Sequence, residues 1–422
     1  MVEPRTKRSR REFVKAAVAI GGASALSACT ERLGGGPDVP AGSPADLPER
    51  QHAWDAFLAR DDHGNAVAPR HHVVALFDLS GDGPPSASDR EPVEQALDGL
   101  NEAYAWSNEG LLFTASYSPY YFDRFDDPLP DSVDLPKPKA LSPFEEPEFD
   151  DPDVVVHLAS DHASVVLEAE EALVGNRDTA NGVELAASVD GVLERRERRT
   201  GFVGAGLPAE NQDVEGIPDG DHVSEDAPLF MGFKSGFKDN QASEDRVTIQ
   251  TGPFAEGTTQ HVSNIRLRLA DWYEANDHET NVAKMFCPAH AESGTVKGTG
   301  ESLGDDSGMG DCEDPAESAR RDGHVGHSQK MAVDAREDGS PIILRRDFDS
   351  TDGGEAGLHF VAVNREIGDF EKTRKAMNGE KYTDNPAIRQ RVNNGILEYM
   401  FVQRRGNYLM PPRSKRALPT PR

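Results

Sequence analysis

His71-His72-Val73-Val74-Ala75-Leu76-Phe77-Asp78-Leu79 is the stretch from which the fold is read. Its β-branched and large apolar residues make it a strand. Beyond it Val93, Leu97, Leu100 and Tyr104 recur at helical spacing, which predicts an amphipathic helix near 89–104. Residues 111–117 are rich in strand formers, and residues 153–158 (DVVVHL) predict another strand. Asp161 is read as the cap of a helix reaching about Leu173, with Val165, Val166, Ala169 and Leu173 on one side. Residues 183–189 close the set. The order is β-α-β-β-α-β, that of a ferredoxin-like unit.

The second half repeats this order more faintly. Ile265, Leu267 and Leu269 alternate with Arg266 and Arg268, as a half-buried strand does. A helix is expected from about Asp271 to Lys284, strands at 342–345 and 358–363, a helix at 367–377 and a last strand at 397–402. Residues 288–325 interrupt the unit with a Gly/Ser/Asp-rich loop. The fold class expected is α+β: two ferredoxin-like modules with antiparallel sheets, at 51–230 and 231–412, followed by a basic tail at 413–422.

Composition sets the outer limits. In 422 residues, Asp+Glu number 74 against 45 Lys+Arg, a formal charge of −29. Such a surface repels a polyanion, so nucleic acid is excluded as a partner. With Lys scarcer than Arg, it is like the surface of an extreme halophile. Three cysteines are too few for a disulfide scaffold, and no apolar run reaches the roughly 18 residues of a spanning helix.

The N-terminus reads as an address. Ser9-Arg10-Arg11-Glu12-Phe13-Val14-Lys15 resembles the twin-arginine export signal, and Leu26-Ser27-Ala28-Cys29 resembles a lipobox with Cys29 as the lipidated residue. The expectation is a folded protein exported and anchored to the outer face of the cytoplasmic membrane. Loss of residues 1–28, with six basic and two acidic side chains, takes the charge from −29 to −33. Residues 29–50 read as a flexible Gly/Pro-rich tether.

No nucleophile elbow, phosphate loop or HExxH helix is present. Cys287-Pro-Ala-His290 is one half of a zinc-site pattern without a second pair at suitable spacing. Cys287 and Cys312 either form a disulfide across the surface loop or stay free. His71, His72 and His157 sit at or in strands and are read as structural. The acidic run at 144–152 is read as a solvated loop. Three segments remain: Gly232-Phe-Lys-Ser-Gly-Phe-Lys-Asp-Asn240, Gly323-His324-Val-Gly326-His327, and Leu344-Arg345-Arg346-Asp347-Phe348 with Gly357-Leu358-His359-Phe360 behind it. A His, an Asp and an Arg gathered by a sheet would suit a haem pocket.

At these residues the chain resembles the dye-decolourising peroxidase family. Gly236-Phe-Lys-Asp239-Asn240 matches its G-x-x-D-G motif, with Asn240 for the last glycine. His327 falls where the family has its proximal haem histidine, with His324 as the rival ligand. Arg345 stands where the family has its distal arginine. Glu355-Ala-Gly-Leu358-His-Phe360 resembles the family's haem-lining strand, and Gly406-Asn-Tyr-Leu-Met-Pro-Pro412 its closing motif. The resemblance implies one haem b per chain on His327, lined by Leu358 and Phe360. It implies Asp239 and Arg345 as the groups that cleave hydrogen peroxide, and an organic one-electron donor. Asp347 is a candidate second pocket acid and Asp384 a candidate acceptor for the ring N–H of His327. The other readings are a haem-handling lipoprotein with little turnover and a haem-free descendant of the fold. A homo-oligomer is left open.

Overall fold

The structure, a computed structural model, describes residues 37–422; the expected export signal and Cys29 lie outside the described residues. Among those described, no helix is long and apolar enough to cross a membrane. The first module comprises β1 (His71–Leu79), α1 (Ala87–Ala103), β2 (Leu112–Tyr117), β3 (Val154–Ser160), α2 (Ala163–Leu173) and β4 (Leu193–Phe202). The second comprises β5 (Thr258–Leu267), α3 (His278–Met285), α4 (His327–Asp334), β6 (Leu344–Arg345), β7 (Phe348–Ser350), β8 (Gly357–Asn364), α5 (Ile367–Asn378) and β9 (Met400–Met410).

Within the first module the strands lie in the order β4-β1-β3-β2, and within the second in the order β9-β5-β8-β7. Both are the antiparallel arrangement of a ferredoxin-like sheet. The sheets meet at both edges through single pairings, Asp349 with Phe202 and Leu409 with Tyr117. The eight strands therefore close into a ring, which removes the exposed edges of both sheets.

The continuous apolar character of β1 follows from this closure. Val73, Ala75 and Phe77 pack with α1 and α2 on the outside, while Val74 and Leu76 join Val155, Val262, Phe348, Val361 and Tyr408 inside the ring. Neither face meets water, so the alternation of a one-sided strand is missing. His72 and His157 are structural: His72 Nδ1 lies 2.9 Å from His157 Nε2, and His72 stacks on Phe348 at 4.5 Å.

Several expectations are corrected. The last strand of the first module is Leu193–Phe202, not 183–189, where only Val183–Glu184 is extended into a short hairpin strand. The final strand runs from Met400 to Met410 rather than over 397–402, and the expected helix at 271–284 is two short ones, Ala270–Glu274 and His278–Met285. Asp161 does not cap α2; His162 is at the cap, and Asp161 accepts from the backbone N–H of Arg70.

The acidic run is not a solvated loop. Asp150 is buried and takes both Nη1 and Nη2 of Arg199, at 2.9 and 2.7 Å, together with Nε of Arg404 at 2.8 Å. Glu145, also buried, pairs with Arg374 and Arg405 at 3.0 Å each. Nor are the ends free. Val39 is buried in the first core, and Gly42 donates its N–H to Glu102 O. At the other end Leu418 and Arg416 are buried, the Tyr117 hydroxyl donating to Arg416 O and accepting from Leu418 N–H. The residues described from the tether and all of the tail belong to the body.

Candidate functional site

A cavity of about 220 Å³ lies between the outer face of the second sheet and its helices. Strand residues Ile265, Leu358, Phe360 and Val402 form its floor, and α4 and α5 bring His327 and Arg374 to its walls. The wall is unusually rich in thioethers: Met231, Met285, Met309, Met331, Met377 and Met400 line it, six of the chain's eight methionines. Flexible, polarisable side chains of this kind fit an apolar ligand of irregular outline.

His327 opens α4 and is held by its flanks. Gly326, just before it, lies so close to α3's exit that a Cβ there would sit 1.8 Å from Phe286 O; only glycine fits. Gln329 Oε1 accepts from Gly326 N–H at 3.0 Å while its own N–H donates to Phe286 O at 3.2 Å. Burial, followed by the charges of Lys330, Arg345 and Arg374, pushes the imidazole down to about 3, so His327 is neutral at ordinary pH. Its Nδ1 is buried without a hydrogen-bond partner. Asp384, the expected acceptor, is exposed and does not accept from it. Beside His327 on α4 is an amine instead: Lys330, which burial lowers to about 7, donates to Met377 O at 2.7 Å and Asn394 O at 3.1 Å. His324 is not in the cavity wall; its Nδ1 faces Asp322 O.

On the sheet side, neighbouring strand residues point in opposite directions. Arg346 turns away and stacks on Trp54 at 3.9 Å, whereas Arg345 and Asp347 both face the cavity. The Arg345 guanidinium has no ion-pair partner within 4.0 Å among the described residues. Asp347 Oδ1 is buried and unpartnered, and burial raises the carboxyl to about 6 against the opposing pull of Arg345. Asp349 lies deeper, accepts Phe230 N–H at 2.5 Å, and is pushed well above the carboxylate range, chiefly by burial.

Asp239 is the residue the sequence misplaces. It is exposed and absent from the cavity wall; Asn240, its neighbour, is there instead. The segment Lys238–Asn240 is a 3-10 turn that needs no positive φ at Asn240. Asn240 fastens it to the facing loop, accepting from Ser307 N–H at 2.9 Å. Thus His327, Arg345, Leu358 and Phe360 share one cavity, and the carboxylate with them is Asp347. Arg374 and Arg405, which the sequence did not single out, also line it. Arg374 Nε and Nη1 and Arg405 Nε are buried without hydrogen-bond partners, free to meet carboxylates of a ligand. Their signal was the acidic run that holds them in place.

The donor set suits haem: a neutral imidazole with a spare lone pair, an apolar floor, and unpaired guanidinium N–H groups for acidic side arms. An unpaired Arg beside a proton-holding carboxyl can stabilise developing negative charge and move a proton.

The chain matches, over residues 69–412, DUF7405, described as a family of unknown function. No curated protein matches it in sequence. Among solved structures it is similar to a dye-decolorizing protein from V. cholerae, at 13% identity and a TM-score of 0.53, covering 86% of this chain and 98% of that one. It is likewise similar to the encapsulated DyP-type peroxidase from Mycobacterium smegmatis (15%, 0.53, 84% and 96%). A DypB variant from Rhodococcus jostii RHA1 in complex with heme gives 12%, 0.55, 88% and 99%. At these identities the likeness establishes the fold.

Proposed function

The chain belongs to DUF7405, a family of unknown function, and from that premise we propose that it is a haem-binding protein that reduces hydrogen peroxide with electrons from an organic donor. The observation that carries the reading is one cavity holding a neutral His327, an unpaired Arg345 and a protonatable Asp347. That the Rhodococcus DypB variant of the same fold is in complex with heme supports it.

Haem, when bound, supplies the redox chemistry. His327 would hold it by a lone pair that is not lost to protonation. Arg374 and Arg405 would hold its acidic groups, and Leu358, Phe360 and the methionines would exclude water. Asp347, in place of Asp239, moves a proton between the two oxygens of hydrogen peroxide, and Arg345 stabilises charge on the oxygen that leaves. The base must be ionised, so activity rises as pH passes about 6.

The test is turnover of peroxide with a one-electron donor by haem-loaded protein. Asp347→Asn and Arg345→Leu each lose about 10²- to 10⁴-fold while retaining haem; a wild-type rate no higher than that of free haem refutes peroxidase function. One observation favours a second reading, haem binding or transfer with little turnover: six thioethers surround the reacting centre, and peroxide-derived oxidants convert Met to its sulfoxide. We further propose export by the twin-arginine route and anchoring through Cys29, which the sequence motifs support.

A further inference from the structure

The segment that interrupts the second module, which holds short helices at Pro288–Ser293 and Pro315–Asp322, carries a cluster unconnected with peroxide chemistry. Cys287 Sγ, Cys312 Sγ and a ring nitrogen of His290 lie within 4.8 Å of one another. The two cysteines are joined as a disulfide, their Cα atoms 6.1 Å apart. Cys287 and His290 are buried, whereas Cys312 is half-buried on the loop and open to approach. His290 is oriented as a ligand would be. Its Nε2 donates to Gly308 O at 3.0 Å, which leaves the lone pair on Nδ1, and Nδ1 is buried with no partner. A buried acceptor left unsatisfied is destabilising, and a disulfide does nothing to relieve it. A carbonyl holding the far ring N–H is the arrangement that fixes a metal-binding imidazole. Burial, the leading cause, also lowers the pKa of His290. Near the cluster lies another soft donor, Met309 Sδ, 3.9 Å from Cys312 Sγ.

We propose that the reduced chain binds one soft d10 cation through Cys287 Sγ, Cys312 Sγ and His290 Nδ1, so that disulfide and metal are alternative occupants of one site. A dithiol reductant supplies two electrons and two protons, cleaving the S–S bond to two thiols and being oxidised to its own disulfide. Metal binding then releases the two thiol protons, because thiolates are the ligands. Zn²⁺ and Cu⁺ share this donor chemistry; the thioether of Met309 would favour Cu⁺. Phe286 and Met309, which adjoin the cluster, also line the large cavity, so the cluster lies next to that cavity and outside its wall.

The experiment titrates Zn²⁺, and separately Cu⁺ under anaerobic conditions, into the full chain against a chromophoric chelator. Oxidised and reduced wild type, Cys312→Ser, His290→Gln and Met309→Leu are compared, and Co²⁺ is used to read thiolate-to-metal charge-transfer bands. The reduced wild type is expected to take one equivalent with those bands, and the oxidised form none. Loss of either ligand weakens binding by more than about 100-fold, beyond what outer partners of a metal site contribute. Selective weakening of Cu⁺ by Met309→Leu assigns the fourth ligand; equal affinities leave a three-ligand site. Should His290→Gln fail to fold, Cys312→Ser, altered at a half-buried position, still decides. Reduced wild type that binds no more tightly than Cys312→Ser, or oxidised protein that binds as well as reduced, overturns the proposal. None of these readouts involves haem, so the result stands apart from the peroxidase reading.

Discussion

Replacing Asp347 by Asn should stabilise the folded chain at neutral pH and do almost nothing in acid. Burial raises this carboxyl from 3.8 to about 6, a value already net of the pull of Arg345. The native state therefore holds the proton more tightly than the unfolded chain. Its stability is undiminished below 3.8, falls as pH rises toward 6 and stays reduced above it. At 1.36 kcal/mol per pH unit, the full difference is about 3 kcal/mol at pH 8 and only about 0.5 kcal/mol at pH 4. Asparagine fills nearly the same volume and carries no charge to desolvate, so Asp347→Asn regains this amount. For a chain of this length that corresponds to roughly 4 °C in Tm. The assay is paired thermal melts of wild type and variant at pH 4 and pH 8 in molar salt, taking the difference at each pH so that all other titrations cancel. An offset that is the same at both pH values, or a variant less stable at pH 8, would refute the burial of Asp347 against Arg345.

Stability of the wild type should climb steadily from dilute buffer to molar salt, because a charge of −29 repels itself strongly where the Debye length is about 30 Å, at 0.01 M; a Tm indifferent to salt contradicts this. Reduction of Cys287–Cys312, which spans 25 positions, should lower stability by about 3–4 kcal/mol in the absence of metal, measured by denaturant unfolding with and without reductant. Peroxide added to haem-loaded protein without a donor should add 16 Da increments to cavity methionines before Met410, as peptide mass spectrometry would show; random labelling defeats that expectation. Changing Arg10 and Arg11 to Lys should retain the precursor in the cytoplasm, and Cys29→Ala should release the mature chain, both read by fractionation.

Much of the fold was legible because apolar periodicity survives wherever a strand or helix packs on a core. The β1 stretch, α1, α2 and β8 all lie near the positions their side chains indicate. What periodicity could not show were strands stabilised by charge. Residues 193–202, LERRERRTGF, are mostly charged; yet Arg195 and Arg198 meet the buried Glu170, and Arg199 is clamped on Asp150. The same Asp150 and Glu145 allow β9 to run on through Arg404 and Arg405. Partners from 25 positions away (Glu170 and Arg195) to 260 (Glu145 and Arg405) leave no local signature, and for that reason the acidic run reads as a solvated loop. The ends were misjudged for a related cause: a single Val39 or Leu418 suffices to dock a short segment, too little to register as a pattern.

At the site, the spacing of His327 and Arg345 reflects a helix start and a strand that the topology brings to one cavity. Asp347 follows from strand alternation alone, since it is two residues beyond Arg345 on the same face. Asp239 was assigned by likeness to a motif, and its turn directs the carboxylate outward while Asn240 faces in. A motif fixes residue order, whereas the direction of one side chain depends on how the turn docks on the 305–307 loop.

The measurement that bears most directly on the central claim is the Soret spectrum of the chain after loading with haem, compared among wild type, His327→Ala and His324→Ala. The account predicts a stoichiometric histidine-ligated spectrum for wild type and His324→Ala, and its loss in His327→Ala. An unchanged spectrum in His327→Ala, or a wild type that takes up no haem under any loading condition, would contradict it.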